Sequence, residues 1–280
     1  MTIPANVSPW DLVRSSVSRI SGMLLRYLYL HKRSLPRTLE IVFWPVMELL
    51  VWGFMSVYLR MLSPDKLASL FGILINAMIF WDILYRSQQA VSIAFIEDIW
   101  TQNIVNLLVS PLKIWEWLAS TFIYGFVKIL LITLILSGIA LTLYQFNLID
   151  NLGFAVIPLV FNLLLFGWAV GVFTSGLVLR WGHAAEALIW GVPYLLQPIS
   201  AIYYPLSVLP KWLQCISLCL PSTYVFEGMR TAVVTKEMPV NYFLMALGLN
   251  AVYFVLGGLF FKRMYLKARE TGRLGRLGMD

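Results

Sequence analysis

Long apolar runs separated by short polar intervals dominate the chain. They fall at about Leu39–Leu59, Leu67–Tyr85, Trp117–Leu143, Phe154–Leu179, Ala187–Leu209 and Tyr242–Phe261. Each is close to or above the ~20 residues a helix needs to cross a bilayer. The pattern predicts an all-α integral membrane protein with six transmembrane helices. It also predicts one membrane domain over residues 1–280: an interfacial segment at 8–37, a six-helix body at 39–261 and a basic tail at 262–280.

The first segment reads as an amphipathic helix, not a signal peptide, because its charge is spread along its length. Ser8-Pro9-Trp10-Asp11 suits a helix start, with Ser8 as N-cap, Pro9 in the first turn and Asp11 near the positive dipole end. Val13, Val17, Ile20, Leu24 and Tyr27 form one apolar stripe. Asp11, Ser15, Ser18, Arg19, Gly22 and Arg26 form the other side, and Leu25 breaks the pattern. The expected placement is flat on an anionic membrane surface, basic face toward headgroups.

Two further segments are patterned beyond ordinary loops. Ile96, Ile99, Trp100, Asn103, Leu107 and Ser110 fall at helical spacing and predict a short cytoplasmic helix between spans two and three. Glu97 and Asp98 suit its first turns. Ser110-Pro111 suits the start of the next helix. After span five, Pro193, Pro198, Pro205 and Pro210 interrupt an apolar run. Lys211–Leu220 and Ser222–Arg230 then read as half-helices, too short to span and tolerable in a membrane only where they meet protein or a cavity.

Composition supports the membrane reading. Of 280 residues, 60% are apolar and 12% charged, against about 45–50% and about 25% for a soluble domain. A soluble enzyme, a disordered chain and a nucleic-acid binder are thereby excluded. The net charge of +7 is informative through its placement. In the six-span arrangement 15 of the 21 Lys and Arg fall on the side of the two termini, among them Arg86, Lys113 and Arg180, and 5 on the other. That bias predicts cytoplasmic termini. Trp44, Trp81, Trp115, Trp117 and Trp181 fall near span ends, as interfacial aromatics do. Cys215 and Cys219 share a helical face, where a bridge would strain the helix, and receive no role.

The two patterned segments carry a resemblance. Glu97 to Pro111, ending Asn106-Leu107-Leu108-Val109-Ser110-Pro111, resembles the coupling-helix region of the type-2 exporter family of ATP-binding-cassette transporter membrane subunits. Tyr203-Tyr204-Pro205-Leu206-Ser207-Val208-Leu209-Pro210-Lys211-Trp212-Leu213, then Pro221-Ser222-Thr223-Tyr224 and Glu227-Gly228-Met229-Arg230, resemble the family's external re-entrant pair. Asn106 departs from the acidic residue of many relatives. The resemblance implies a permease subunit in the plasma (inner) membrane, paired with a second copy or a homologous permease and with two ATPase subunits. It implies ATPase coupling through Glu97, Asp98, Trp100, Asn103, Asn106, Leu107, Ser110 and Pro111. The chain carries no G-x-x-x-x-G-K-[ST] phosphate loop, so ATP and Mg would sit on the partner, and no cofactor, metal or nucleic acid is expected here.

Residues for the transport path or for buried polar contacts are Glu48, Trp52, Asn76, Lys128, Asn162, Gln197, Tyr203 and Tyr204. Glu48 and Lys128 fall at similar depth in spans that run the same way, so a pair between them is expected, because a lone mid-membrane charge costs at least about 2.5–3.5 kcal/mol. Asp82 is expected to pair with Arg86 four residues on. The cargo suggested is lipophilic or lipid-linked (drug, lipid or glycan). The alternatives are a membrane-embedded lipid-modifying transferase and a channel. His31 and His183 lie far apart without a ligand or carboxylate motif, and the polar residues form no repeated stripe.

Overall fold

A computed structural model of the chain describes residues 9–62 and 64–271. Ser8, the expected cap, and the tail from Gly272 onward lie outside the described residues. The described residues form helices α1 (Pro9–Lys32), α2 (Leu35–Leu62), α3 (Pro64–Trp100), α4 (Ile104–Val109), α5 (Ile114–Tyr144), α6 (Leu148–Leu152), α7 (Val156–Trp181), α8 (Glu186–Ile199), α9 (Lys211–Ser217), α10 (Pro221–Thr235) and α11 (Val240–Glu270). Among the described residues, four stretches are long and apolar enough to cross a membrane: Thr38–Leu59, Ile114–Tyr144, Leu148–Trp181 and Val240–Glu270.

Helix α7 is the centre of the bundle, lying along both α3 and α11, while α3 also meets α2 and α5. Ile79, Phe80, Ile132, Leu163, Phe166 and Phe226 fill the core between them. Close approach depends on small residues, as in helix pairs within lipid. A Cβ on Gly167 would lie 2.3 Å from Ser87 Cβ and 2.7 Å from the Leu84 carbonyl, and one on Gly125 would lie 2.4 Å from Ala90 Cβ. The helices also share polar contacts. Gln88 donates to Ser92 Oγ at 2.9 Å and to the Ile189 carbonyl at 3.2 Å, and the Ser92 and Thr174 hydroxyls lie 2.6 Å apart.

Several sequence expectations change here. The apolar run Leu67–Tyr85 is only the first part of α3, whose 37 residues reach about 55 Å. The rest of α3 is polar on its packed faces, because it is covered by α7 and α8 and not by lipid. Arg86 is therefore inside a helix and not in a loop, and Trp81 is a core residue at 2% exposure and not an interfacial one. Asp82 lies mid-helix. Span five, expected at Ala187–Leu209, is the 14-residue α8, about 21 Å long against a hydrocarbon core of about 30 Å. Pro198 withholds an N–H near its end, and the chain turns through Ala201 at φ 51°. The predicted half-helices occur as α9 and α10, with Pro221 opening α10, where its missing N–H costs nothing.

Helix α1 forms, but two of the basic residues expected to face headgroups pair with protein instead. Met23 and Tyr27 are buried, Arg19 and Arg26 turn toward the protein, and Val13, Val17, Leu25 and Leu28 are exposed. Two buried carboxylates outbid the membrane surface for those arginines.

Candidate functional site

The continuous helix expected through Ile96–Ser110 is instead an elbow. Helix α3 ends at Trp100, Gln102 takes a left-handed φ of 53°, and α4 begins at Ile104. The Asn103 N–H donates to the Asp98 carbonyl at 2.9 Å and the Gln102 N–H to the Ile99 carbonyl at 2.9 Å. Asn103 Nδ2 reaches Asp98 Oδ1 at 3.3 Å, and Asn106 Nδ2 reaches Asn103 Oδ1 at 3.3 Å. Ser110 closes α4 and does not start α5: its hydroxyl donates to the Leu107 carbonyl at 2.6 Å. Lys113 precedes α5, and its N–H donates to Glu116 at 2.9 Å. That is the N3 half of a capping box.

Two ion pairs fasten α1 to this elbow. Arg19 makes two bonds to Glu116, at 2.6 and 2.7 Å, with the Glu116 side chain fully buried. Arg26, two turns further along α1, bonds Asp98, itself buried. The spacing of seven residues keeps both arginines on one face. Both guanidinium pKa values are raised: for Arg19 by the hydrogen bond to Glu116, and for Arg26 by Asp98 acting against the desolvation that burial imposes. The Tyr124 hydroxyl lies 2.9 Å from His31 Nδ1, adding a third tie between α1 and α5.

Of the coupling candidates, Trp100, Asn106 and Pro111 are exposed at the tip of the elbow, beside the exposed Val109, and Asp98 is buried, as are the neighbouring Ile99 and Ile104. Glu97 is half-buried and holds the helix end, its carbonyl accepting from the Thr101 N–H at 3.0 Å and hydroxyl at 2.8 Å. The elbow thus offers an apolar and amide surface outward and is braced from behind. The sequence reading placed Arg19 and Arg26 on a face toward headgroups and did not single out Glu116. The acid three residues after Lys113 was a usable signal for the cap, but nothing local pointed to a partner on α1.

A second polar group lies within the bundle. Arg86 Nε reaches both Asp82 oxygens, at 2.8 and 2.9 Å. Ala90, one turn further along α3, is level with Gly125, which is about 17 Å into α5, so the pair is deep in the bundle. Asp82 and Arg86 join the neighbourhood in which the Glu48–Lys128 pair is expected. The charges acting on Glu48 are Asp82 and Arg86, and Lys128 acts on Asp82. Asp82 occupies the middle of the group because α3 lies between α2 and α5. Trp52 stacks on Tyr203 at 4.6 Å, and Gln197 Nε2 lies 3.4 Å from the Tyr203 hydroxyl. These three candidates therefore meet, on the face shared with Glu48. The Tyr204 hydroxyl donates to the Pro198 carbonyl at 2.7 Å. Asn76 and Asn162 are fully buried. Asn162 serves helix packing, accepting from Asn250 at 2.9 Å.

This arrangement defines a multi-pass helical membrane protein with a braced elbow at one end and a charged group within the bundle. The chain belongs to the ABC-2 type transporter family, whose family model matches residues 28–234. It is thus the transmembrane permease component of an ATP-binding-cassette transporter, a kind of subunit that works with ABC ATPase subunits. No curated protein matches the chain significantly.

Proposed function

We infer that the chain is the permease subunit of an ATP-driven exporter. It forms the transport path as a dimer, with a second copy or a homologous permease, and works with two ATPase subunits that hold ATP and Mg. The cargo is lipophilic or lipid-linked. The protein sits in the plasma (inner) membrane with both termini cytoplasmic. Helix α4 is its coupling helix.

The braced elbow carries this reading. Trp100, Asn106 and Val109 form an exposed tip for a soluble partner, and Arg19–Glu116 and Arg26–Asp98 tie that tip to α1, α3 and α5. A push on α4 would therefore move three helices together. The excess of Lys and Arg on the side of the termini supports the orientation.

The test is reconstitution with a partner ABC ATPase. Asn106→Arg and Val109→Asp should abolish transport-coupled ATP hydrolysis while the permease still inserts and folds. Normal coupling in both variants would remove α4 from the mechanism. A panel of lipids and glycans, read by stimulation of ATPase activity, tests the cargo class.

A further inference from the structure

At the end of the bundle opposite α4, a cavity of about 290 Å³ opens beside the first turn of α10. Leu206, Ser207, Thr223, Tyr224, Glu227 and Tyr242 contribute to its lining. Its volume is near the lower end of the roughly 300–1,000 Å³ of ligand pockets. It suits one small ring-sized group and not a whole lipid.

Two independent features call for a ligand with its own polar atoms. Thr223 is 1% exposed and its hydroxyl has no hydrogen-bond partner among the described residues. A buried hydroxyl left in that state is costly, and native proteins seldom leave one unpaired. The start of α10 also lacks a side-chain cap, since Leu220 precedes Pro221. Its first free N–H groups are donors in search of an acceptor.

The charges narrow the ligand class. Glu227 lines the cavity, but its Oε1 already accepts from the Leu206 N–H at 2.6 Å and from Arg230 Nη2 at 3.0 Å. Arg230 is in turn held by the Ala201 and Ile202 carbonyls at 2.6 and 3.0 Å. The ion pair is therefore neutral and internally committed. A phosphate would meet a carboxylate and no uncommitted cation among the lining residues. A quaternary ammonium would find its carboxylate already neutralised. An alkyl chain would bury Thr223, Ser207 and Glu227 against hydrocarbon. The remaining match is a neutral group with both hydroxyl donors and acceptors. Glu227 Oε2 has only a long 3.5 Å contact to Arg230 Nε, so it can accept. The helix N–H groups, Thr223 and the tyrosine hydroxyls can donate.

We propose that this cavity binds one polyhydroxylated unit, a sugar ring carried either by the cargo or by a membrane glycolipid. Its use in export rests on the export reading above; the binding chemistry does not.

The test uses the full-length chain in phospholipid nanodiscs, without ATPase and without transport. Saturation-transfer NMR is recorded with methyl glucoside, methyl mannoside and methyl N-acetylglucosaminide, with choline and phosphoethanolamine as comparison probes. At least one glycoside should receive saturation. Thr223→Val and Tyr242→Phe should each weaken binding about two- to tenfold, the loss of one hydrogen bond. Neither should change the melting temperature, because the Thr223 hydroxyl has no partner to lose. Displacement of the glycoside by a glycosyl-diacylglycerol added to the nanodisc assigns the site to a glycolipid. Failure to displace assigns it to a free or polymer-borne sugar. The proposal is overturned if no glycoside binds, if both variants bind as the parent does, or if choline or phosphoethanolamine binds better than every glycoside. Failure of ATPase coupling through α4 would leave this result standing, so the two readings fail separately.

Discussion

Arg19 and Glu116 stand 97 positions apart in the sequence and meet in a two-pronged ion pair, Nε to Oε2 at 2.7 Å and Nη2 to Oε1 at 2.6 Å. The carboxylate is buried and also accepts the Lys113 N–H that opens α5. One side chain therefore both caps a spanning helix and holds α1 against it.

Removing Glu116 takes away both the partner of Arg19 and the acceptor of the Lys113 N–H, so Glu116→Ala should destabilise the protein. The expected outcome is a lower melting temperature in nanodiscs and faster proteolysis within α1. Exchange of the charges, Arg19→Glu with Glu116→Arg, should recover part of the loss. A Glu116→Ala melting curve that overlays the parent's would sink the clamp.

Helix contact through glycine gives a second expectation. A methyl group on Gly167 would collide with Ser87 Cβ at 2.3 Å and with the Leu84 carbonyl, whereas Gly138 and Gly258 have nothing within 4 Å. Overpacking of this kind costs about 1–3 kcal/mol. Gly167→Ala should lower folded yield, and Gly138→Ala and Gly258→Ala should not. Equal yields for all three would show that α3 and α7 do not approach so closely.

The apolar runs were legible because each spanning helix carries its own length signal. The helical character of α2, α5, α7 and α11 follows directly from them. The boundaries of α3 and α8 were not legible. The second half of α3 is rich in Gln, Ser, Asp and Glu, which reads as a loop until α7 and α8 cover it. Pro198 and the left-handed Ala201 end α8 within an apolar stretch that a pattern in sequence runs straight through. In the elbow, the spacing of Ile99, Asn103 and Leu107 suggested helix, but the left-handed Gln102 breaks the helix between the first two. The partners of Arg19 and Arg26 lie on α5 and α3, and no local pattern announces a contact of that range. Trp52, Gln197 and Tyr203 were candidates by residue type alone, and the return of the chain after α8 brings them together.

Native cysteines give a direct measure of orientation. Cys215 and Cys219 are the protein's two cysteines, and both are exposed thiols. In the proposed orientation α9 faces outward. A membrane-impermeant maleimide should label the unmodified protein in intact cells, and Cys215→Ser with Cys219→Ser should abolish that labelling. Labelling seen only after the cells are broken would reverse the orientation.

The last expectation concerns Asp82 and Arg86. Their bidentate bond lies in the middle of α3, with Glu48 and Lys128 acting on the same group. Arg86→Met would leave the buried Asp82 carboxylate without its nearest cation. Charges within a membrane are expensive unless paired, and loss of one partner costs more than loss of both. Arg86→Met alone should therefore depress folded yield strongly, and Asp82→Asn with Arg86→Met should restore much of it. Glu48→Gln gives a contrast. Glu48 has no hydrogen bond among the described residues and is half-buried on α2, so this substitution should leave yield unchanged. If Glu48 instead touches cargo, the same variant shifts the cargo concentration that half-stimulates ATPase activity in the reconstituted complex. Yield measured by fluorescence-detected size exclusion separates the two roles. A double variant no better folded than Arg86→Met would mean that Asp82 has other essential partners in the bundle.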